Sequence, residues 1–117
     1  MDLQSLIVPA AVVAGFIVIK RLIGGPKVAS NTVKEKILAG AKLVDVRTSE
    51  EYREGSYPGA VNIPVNDLAR RMGELPKDKS IVVFCASGAR SASAARALKQ
   101  AGFADVVNAG GLSDMPG

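Results

Sequence analysis

Cys85 is the chain's one cysteine, and it stands where the apolar run Ile81-Val82-Val83-Phe84 gives way to the small residues Ala86-Ser87-Gly88-Ala89, then Arg90 and Ser91. The pattern reads as a strand ending in a thiol, a tight loop, and the start of a helix. Small residues let successive backbone N–H groups turn inward, and Gly88 supplies conformational freedom where a side chain would obstruct. The helix points its positive end at the same spot. Such an anion cradle favours thiolate over thiol at Cys85 and then stabilises a negatively charged persulfide. Arg90 stays charged at any relevant pH; it is read as bracing loop carbonyls and carboxylates in preference to touching an anionic substrate. Ser87 is a candidate hydrogen-bond donor to the terminal sulfur, against the equally weighted alternative of a loop serine satisfied by solvent.

The chain has no histidine, which removes Ser-His-Asp and Cys-His catalysis. Activation of Cys85 must come from backbone dipoles and cations. A single cysteine excludes an internal disulfide and any metal site built from several cysteines. The net charge of +4 comes without a basic stripe interleaved with aromatics, so no nucleic-acid partner is expected.

Short β-rich runs alternate with helical stretches, which predicts an α/β domain with a parallel sheet covered by helices. Val28-Ala29 is read as a first edge strand. Thr32 and Glu35 have capping-box spacing, opening a helix on which Val33, Ile37 and Leu38 share a face and which stops at Gly40. Leu43-Val44-Asp45-Val46 reads as a buried strand. Thr48 and Glu51 repeat the capping-box spacing and open a short polar helix ending at Gly55. A Pro58-Gly59 turn, a brief strand at Ala60–Ile63 and a helix near Asp67–Met72 follow. Ile81–Phe84 is the expected central strand, and its carboxyl end is where chemistry is expected in this architecture. Ser91–Gln100 is alanine-rich and helical, with Gly102 as its C-cap, and Ala104–Asn108 is the last strand.

Asp45-Val46-Arg47, Glu51-Tyr52 through Gly55, Pro58-Gly59-Ala60-Val61-Asn62-Ile63-Pro64 and the Cys85 loop, in that order, resemble the rhodanese homology domain. The likeness covers nearly the whole of residues 28–117. It implies a three-layer fold with a five-stranded parallel sheet between helices. It also implies Cys85 as the persulfide-forming nucleophile, with Ala86, Ser87, Gly88, Ala89, Arg90 and Ser91 as the binding loop. Asp45 and Arg47 then hold the structure around the site, in agreement with their reading as a local ion pair. Ser56 replaces the family's frequent histidine, and Tyr57 stands at a usually aliphatic position; both are read as packing positions. Asn108-Ala109-Gly110-Gly111 resembles the family's terminal strand and double glycine. The tryptophan that often follows is missing, which predicts an absent or very short closing helix.

What the resemblance implies chemically is sulfur transfer from a small anionic donor such as thiosulfate, through a Cys85 persulfide, to cyanide or to a thiol or protein acceptor, with no metal or organic cofactor. A cysteine phosphatase or arsenate reductase is the rival enzyme, but those families need a longer loop to ring a tetrahedral anion than the four residues between Cys85 and Arg90. The other rival is a binding module that keeps the fold without turnover.

The first quarter of the chain is of a different kind. Leu6–Ile19 is fourteen residues without a charge or polar side chain, and Leu3–Ile23 interrupts this only at Gln4, Ser5, Lys20 and Arg21. At ~1.5 Å per residue that window reaches about 31 Å, near the roughly 30 Å of a hydrocarbon core. Residues 1–23 are therefore expected to form one transmembrane helix in contact with lipid, followed by a linker at 24–27 and the domain at 28–117. Asp2 precedes the run while Lys20, Arg21 and Lys27 follow it, which favours an uncleaved anchor with the domain facing the cytoplasm. The alternative is a signal peptide and a periplasmic or secreted domain, which calls for the opposite charge pattern.

Overall fold

The computed structural model describes residues 27–117. The predicted anchor over 1–23 and all of the linker but Lys27 lie outside the described residues. Among the described residues 27–117, no helix is long and apolar enough to cross a membrane.

Helix α1 (Ser30–Leu38) leads into strand β1 (Lys42–Asp45) and the short helix α2 (Ser49–Arg53). Strand β2 (Val61–Asn62) precedes α3 (Leu68–Arg71), which is flanked by 3-10 turns at Val65–Asp67 and Met72–Glu74. Strand β3 (Ile81–Cys85), helix α4 (Ala89–Gln100) and strand β4 (Val106–Gly111) complete the core, and a 3-10 turn at Leu112–Asp114 follows. The sheet is parallel throughout, in the order β2-β1-β3-β4.

The sheet has four strands among the described residues, not the five expected. At the predicted edge strand, Val28 donates one backbone bond to Asn108 O at 2.9 Å, and the chain turns into α1 at Ser30. Two extended residues cannot both run a ladder and start a helix. The helix start also corrects the reading of Thr32: Ala29 is the N-cap, with no side-chain cap. The second capping box is formed as read, with Thr48 Oγ1 accepting from Glu51 N and Glu51 Oε1 accepting from Thr48 N. The last strand runs from Val106 to Gly111, later than expected; Asp105 just before it accepts from Ile81 N at 2.8 Å through its carbonyl, while its side chain is held by Lys36 and Ser80.

Strand β3 is buried at every position, as a strand covered on both faces must be. Its side chains alternate with period 2. Val82 and Phe84 join Val33, Leu43, Ala60, Ala109 and Met115 under α1. Ile81, Val83 and Cys85 join Leu68, Ala94, Ala95 and Leu98 on the other side. Alanine at positions 92, 94 and 95, all buried, lets α4 lie close on β3 and β4. That close fit holds the amino end of α4 directly beyond the end of β3.

Candidate active site

Cys85 is the last residue of β3 and is fully buried. The chain must reverse within three residues to enter α4, and Gly88 makes this possible as the N-cap with φ of 104°, a left-handed conformation that costs a glycine little. The reversal directs backbone N–H groups at the sulfur: Gly88 N donates to Cys85 Sγ at 2.9 Å. The Ser91 hydroxyl lies 3.3 Å from the same atom. Burial acts to raise the thiol's pKa. It is outweighed by hydrogen bonds from the Ser91 hydroxyl and from the N–H groups of Ser91, Gly88 and Ser87, so the pKa falls below its ordinary value.

The predicted loop residues divide between two roles. Ala86, Ser87 and Ala89 are exposed, whereas Ser91 is buried. Ser87 offers its backbone N–H to the sulfur, and the hydroxyl that meets Cys85 belongs to Ser91. Because α4 begins at Ala89 and not at Ser91, Arg90 and Ser91 lie on its first turn. There they point different ways: Ser91 inward, Arg90 toward α2.

Arg90 forms a two-point pair with Glu51, Nη1 to Oε1 at 2.7 Å and Nη2 to Oε2 at 3.1 Å. The Arg90 pair and the Thr48 backbone bond hold the Glu51 carboxyl down to about 2. Asp45 and Arg47 form a separate, buried pair at the end of β1, with Arg47 Nη2 2.7 Å from Asp45 Oδ2. Arg47 Nη2 also donates to Gly55 O at 2.6 Å, and Ser56 Oγ donates to Asp45 Oδ2 at 2.7 Å. Ser56 thus completes the Asp45 network as well as filling space. Tyr57 packs edge-on to Phe84 and donates its hydroxyl to Pro116 O at 2.6 Å. An open cleft of about 510 Å³ lies beside these pairs, lined by Arg47, Glu51, Glu54, Gly55, Ser56 and Leu112.

The double glycine has a steric cause. A Cβ on Gly111 would strike the Ala86 carbonyl more closely than real side chains approach backbone. Strand β4 therefore passes under the Cys85 loop in contact with it. Asn108, buried, accepts from Ser91 Oγ at 2.7 Å. Sequence reasoning gave no role to Asn108, to Glu51 as the partner of Arg90, or to the Ser91 hydroxyl as the neighbour of sulfur. Glu51 was legible as a cap and as part of the Glu51-Tyr52 motif, not as the partner of Arg90; for the other two, nothing in the spacing indicates a meeting across the loop.

Residues 29–115 match the model of the rhodanese-like domain. The chain is 44% identical over 66 residues to a protein of Allochromatium vinosum named sulfurtransferase, covering 56% of this chain and 62% of that one. It is 35% identical over 81 residues to the thiosulfate sulfurtransferase PspE of Escherichia coli (strain K12), covering 68% and 78%. It spans 62% of the Allochromatium relative's length and 46% of a longer relative's from Bacillus subtilis (strain 168). Among solved structures it is similar to a rhodanese with anions from E. coli, with TM-score 0.62 and 34% identity over 66% of this chain and 95% of that one. The model match, the parallel α/β sheet and the cysteine loop at its carboxyl edge place this chain in the rhodanese-like family.

Proposed function

We propose that the chain is a sulfurtransferase that takes sulfane sulfur from a small anionic donor, thiosulfate being the model, and carries it on Cys85. The observation that carries this reading is the environment of Cys85 Sγ, with the Gly88 N–H at 2.9 Å and the Ser91 hydroxyl at 3.3 Å at the amino end of α4. The sulfurtransferase relatives support it in general terms. In the first step the Cys85 thiolate attacks the outer sulfur of thiosulfate. A Cys85 S–S bond forms, the donor's S–S bond breaks, and sulfite leaves with the electron pair. In the second step cyanide or a thiolate attacks the terminal sulfur, and Cys85 departs as thiolate. The cradle stabilises the anion before the first step, the persulfide between steps and the thiolate leaving group of the second. Ala86, Ser87, Gly88, Ala89, Arg90 and Ser91 form the loop in this reading, with Asp45 and Arg47 as its support.

Thiocyanate production from thiosulfate and cyanide tests the reading. The wild-type chain turns over and Cys85→Ser, nearly isosteric, does not; a Cys85→Ser protein that keeps the wild-type rate removes Cys85 from the mechanism. One observation favours a binding module without turnover: Cys85 is fully buried, as an inert small hydrophobe is. Against it stand the N–H groups aimed at the sulfur, which an inert thiol does not require.

Residues 1–23 belong to the same proposal as an uncleaved membrane anchor in contact with lipid, with 24–27 as linker and 28–117 as a domain facing the cytoplasm. The charge order around the apolar run supports it.

A further inference from the structure

Ser91 Oγ has four polar neighbours: Asn108 Oδ1 at 2.7 Å, Gly88 O at 3.1 Å, Gly110 O at 3.3 Å and Cys85 Sγ at 3.3 Å. A hydroxyl carries one proton, so it donates once and otherwise accepts. The three oxygens can only accept. Among these four neighbours the Cys85 thiol is therefore the one group able to donate to Ser91, and in the thiol state the hydroxyl proton goes to Asn108, its shortest contact. The orientation of the Asn108 amide is fixed independently. Gly110 N donates to its Oδ1 at 2.9 Å, and its Nδ2 faces Gly88 O at 3.4 Å.

Asn108 owes its position to an irregularity in β4. Asn108 pairs with Val83 and Gly110 with Phe84, leaving Ala109 as an extra residue. A bulge of this kind re-aims the side chain beside it. Here it turns a carboxamide under the loop, where Asn108 is only 5% exposed.

We propose that Asn108 is a positioning residue for the sulfur: its side-chain oxygen and Cys85 Sγ compete for the single Ser91 hydroxyl proton. The proton points to Asn108 when Cys85 is a thiol and to sulfur when Cys85 is an anion. This rests on the reading of Cys85 as the reacting sulfur. The anion gains the Ser91 bond only by taking it from Asn108, so the two residues act on the thiol in opposite directions. Ser91 promotes the anion, and the acceptor strength at position 108 opposes it. The charged groups around the sulfur are Arg90 on α4, Glu51 on α2, Asp45 and Arg47 at the end of β1, and Lys27 and Asp114 beside Gly110 and Gly111. All remain in place in the variants below.

The test is a pH titration of thiolate ultraviolet absorbance on the full chain, where Cys85 is the only cysteine. Ser91→Ala raises the Cys85 pKa by about one unit, a tenfold loss of thiolate below the midpoint, as expected for removal of a hydrogen bond to a charged group. Asn108→Leu lowers the pKa, because the competitor is gone, and in the Ser91→Ala background it has no effect. Asn108→Asp, which keeps the Gly110 bond and so guards against misfolding of the leucine variant, raises the pKa more in wild type than in Ser91→Ala. An Asn108→Leu shift that is absent, upward, or unchanged by Ser91→Ala overturns the proposal, as does an Asn108→Asp shift of equal size in both backgrounds. Because the titration requires no sulfur donor, its outcome is separate from that of the sulfurtransferase reading: a chain that shows these shifts and forms no thiosulfate adduct contradicts that reading alone.

Discussion

At the scale of single residues, the proposed site separates the group assigned to react from the groups that hold it. Cys85 receives backbone and hydroxyl donors, whereas Arg90 spends its guanidinium on Glu51 at 2.7 and 3.1 Å. A guanidinium so engaged ties α4 to α2 and fixes the first turn of α4. Arg90→Ala is accordingly expected to lower the yield of thiosulfate adduct at Cys85 without abolishing it, measured by intact mass. The same pair has a pH signature. The Glu51 carboxyl sits at about 2 in the folded chain, below its ordinary 4.5, so the folded state binds this proton less readily than the unfolded state. The pair's stabilising contribution is present above about pH 4.5 and is lost as pH falls toward 2, in keeping with linkage between protonation and folding. Glu51→Gln should flatten the fall in thermal midpoint over that window, and an unchanged slope would show that the pair contributes nothing there.

At the scale of elements, the strand-loop-helix unit was legible because its signals are local. An apolar run, a glycine at the reversal and an alanine-rich stretch each dictate conformation from their own residues. The Thr48 and Glu51 box was legible for the same reason. What was not legible depends on neighbours distant in sequence. The bulge in β4 follows from how Asn108, Ala109 and Gly110 pair with β3, and the start of α4 at Ala89 depends on Gly88 adopting a left-handed conformation against Gly110 of β4. Thr32 had the spacing of a cap and is not one, because the chain already turns helical at Ser30. The contact of β4 with the loop gives a prediction. Gly111→Ala places a methyl group against the Ala86 carbonyl and should destabilise the domain by about 1–3 kcal/mol, read as a lower urea midpoint. It should also cut adduct formation, since the displaced backbone is the cradle itself. A Gly111→Ala chain with wild-type midpoint and adduct yield would show that the close approach is not required.

At the scale of the whole molecule, the described domain is a four-stranded parallel sheet between helices, with the proposed site at one end of it. Lys27, the first described residue, is joined there to Asp114 at 2.9 Å. The preceding apolar run reads from sequence as an anchor on its length and apolarity and as uncleaved on its charge order, and the expectation of an uncleaved, cytoplasm-facing chain is tested by fractionation. The account predicts full-length protein in the membrane fraction, and a processed form starting near Ser30 outside the cytoplasm would contradict it. The expected fifth strand failed at this scale as well, since residues 28 and 29 are shared between one sheet bond and the entry to α1. The claim on which everything else depends is that Cys85 carries sulfur, and intact mass spectrometry of the purified chain before and after thiosulfate tests it most directly. The account predicts a gain of one sulfur atom, its loss on addition of cyanide or a reducing thiol, and no gain in Cys85→Ser. A wild-type mass unchanged by thiosulfate, or the same gain in Cys85→Ser, would contradict it.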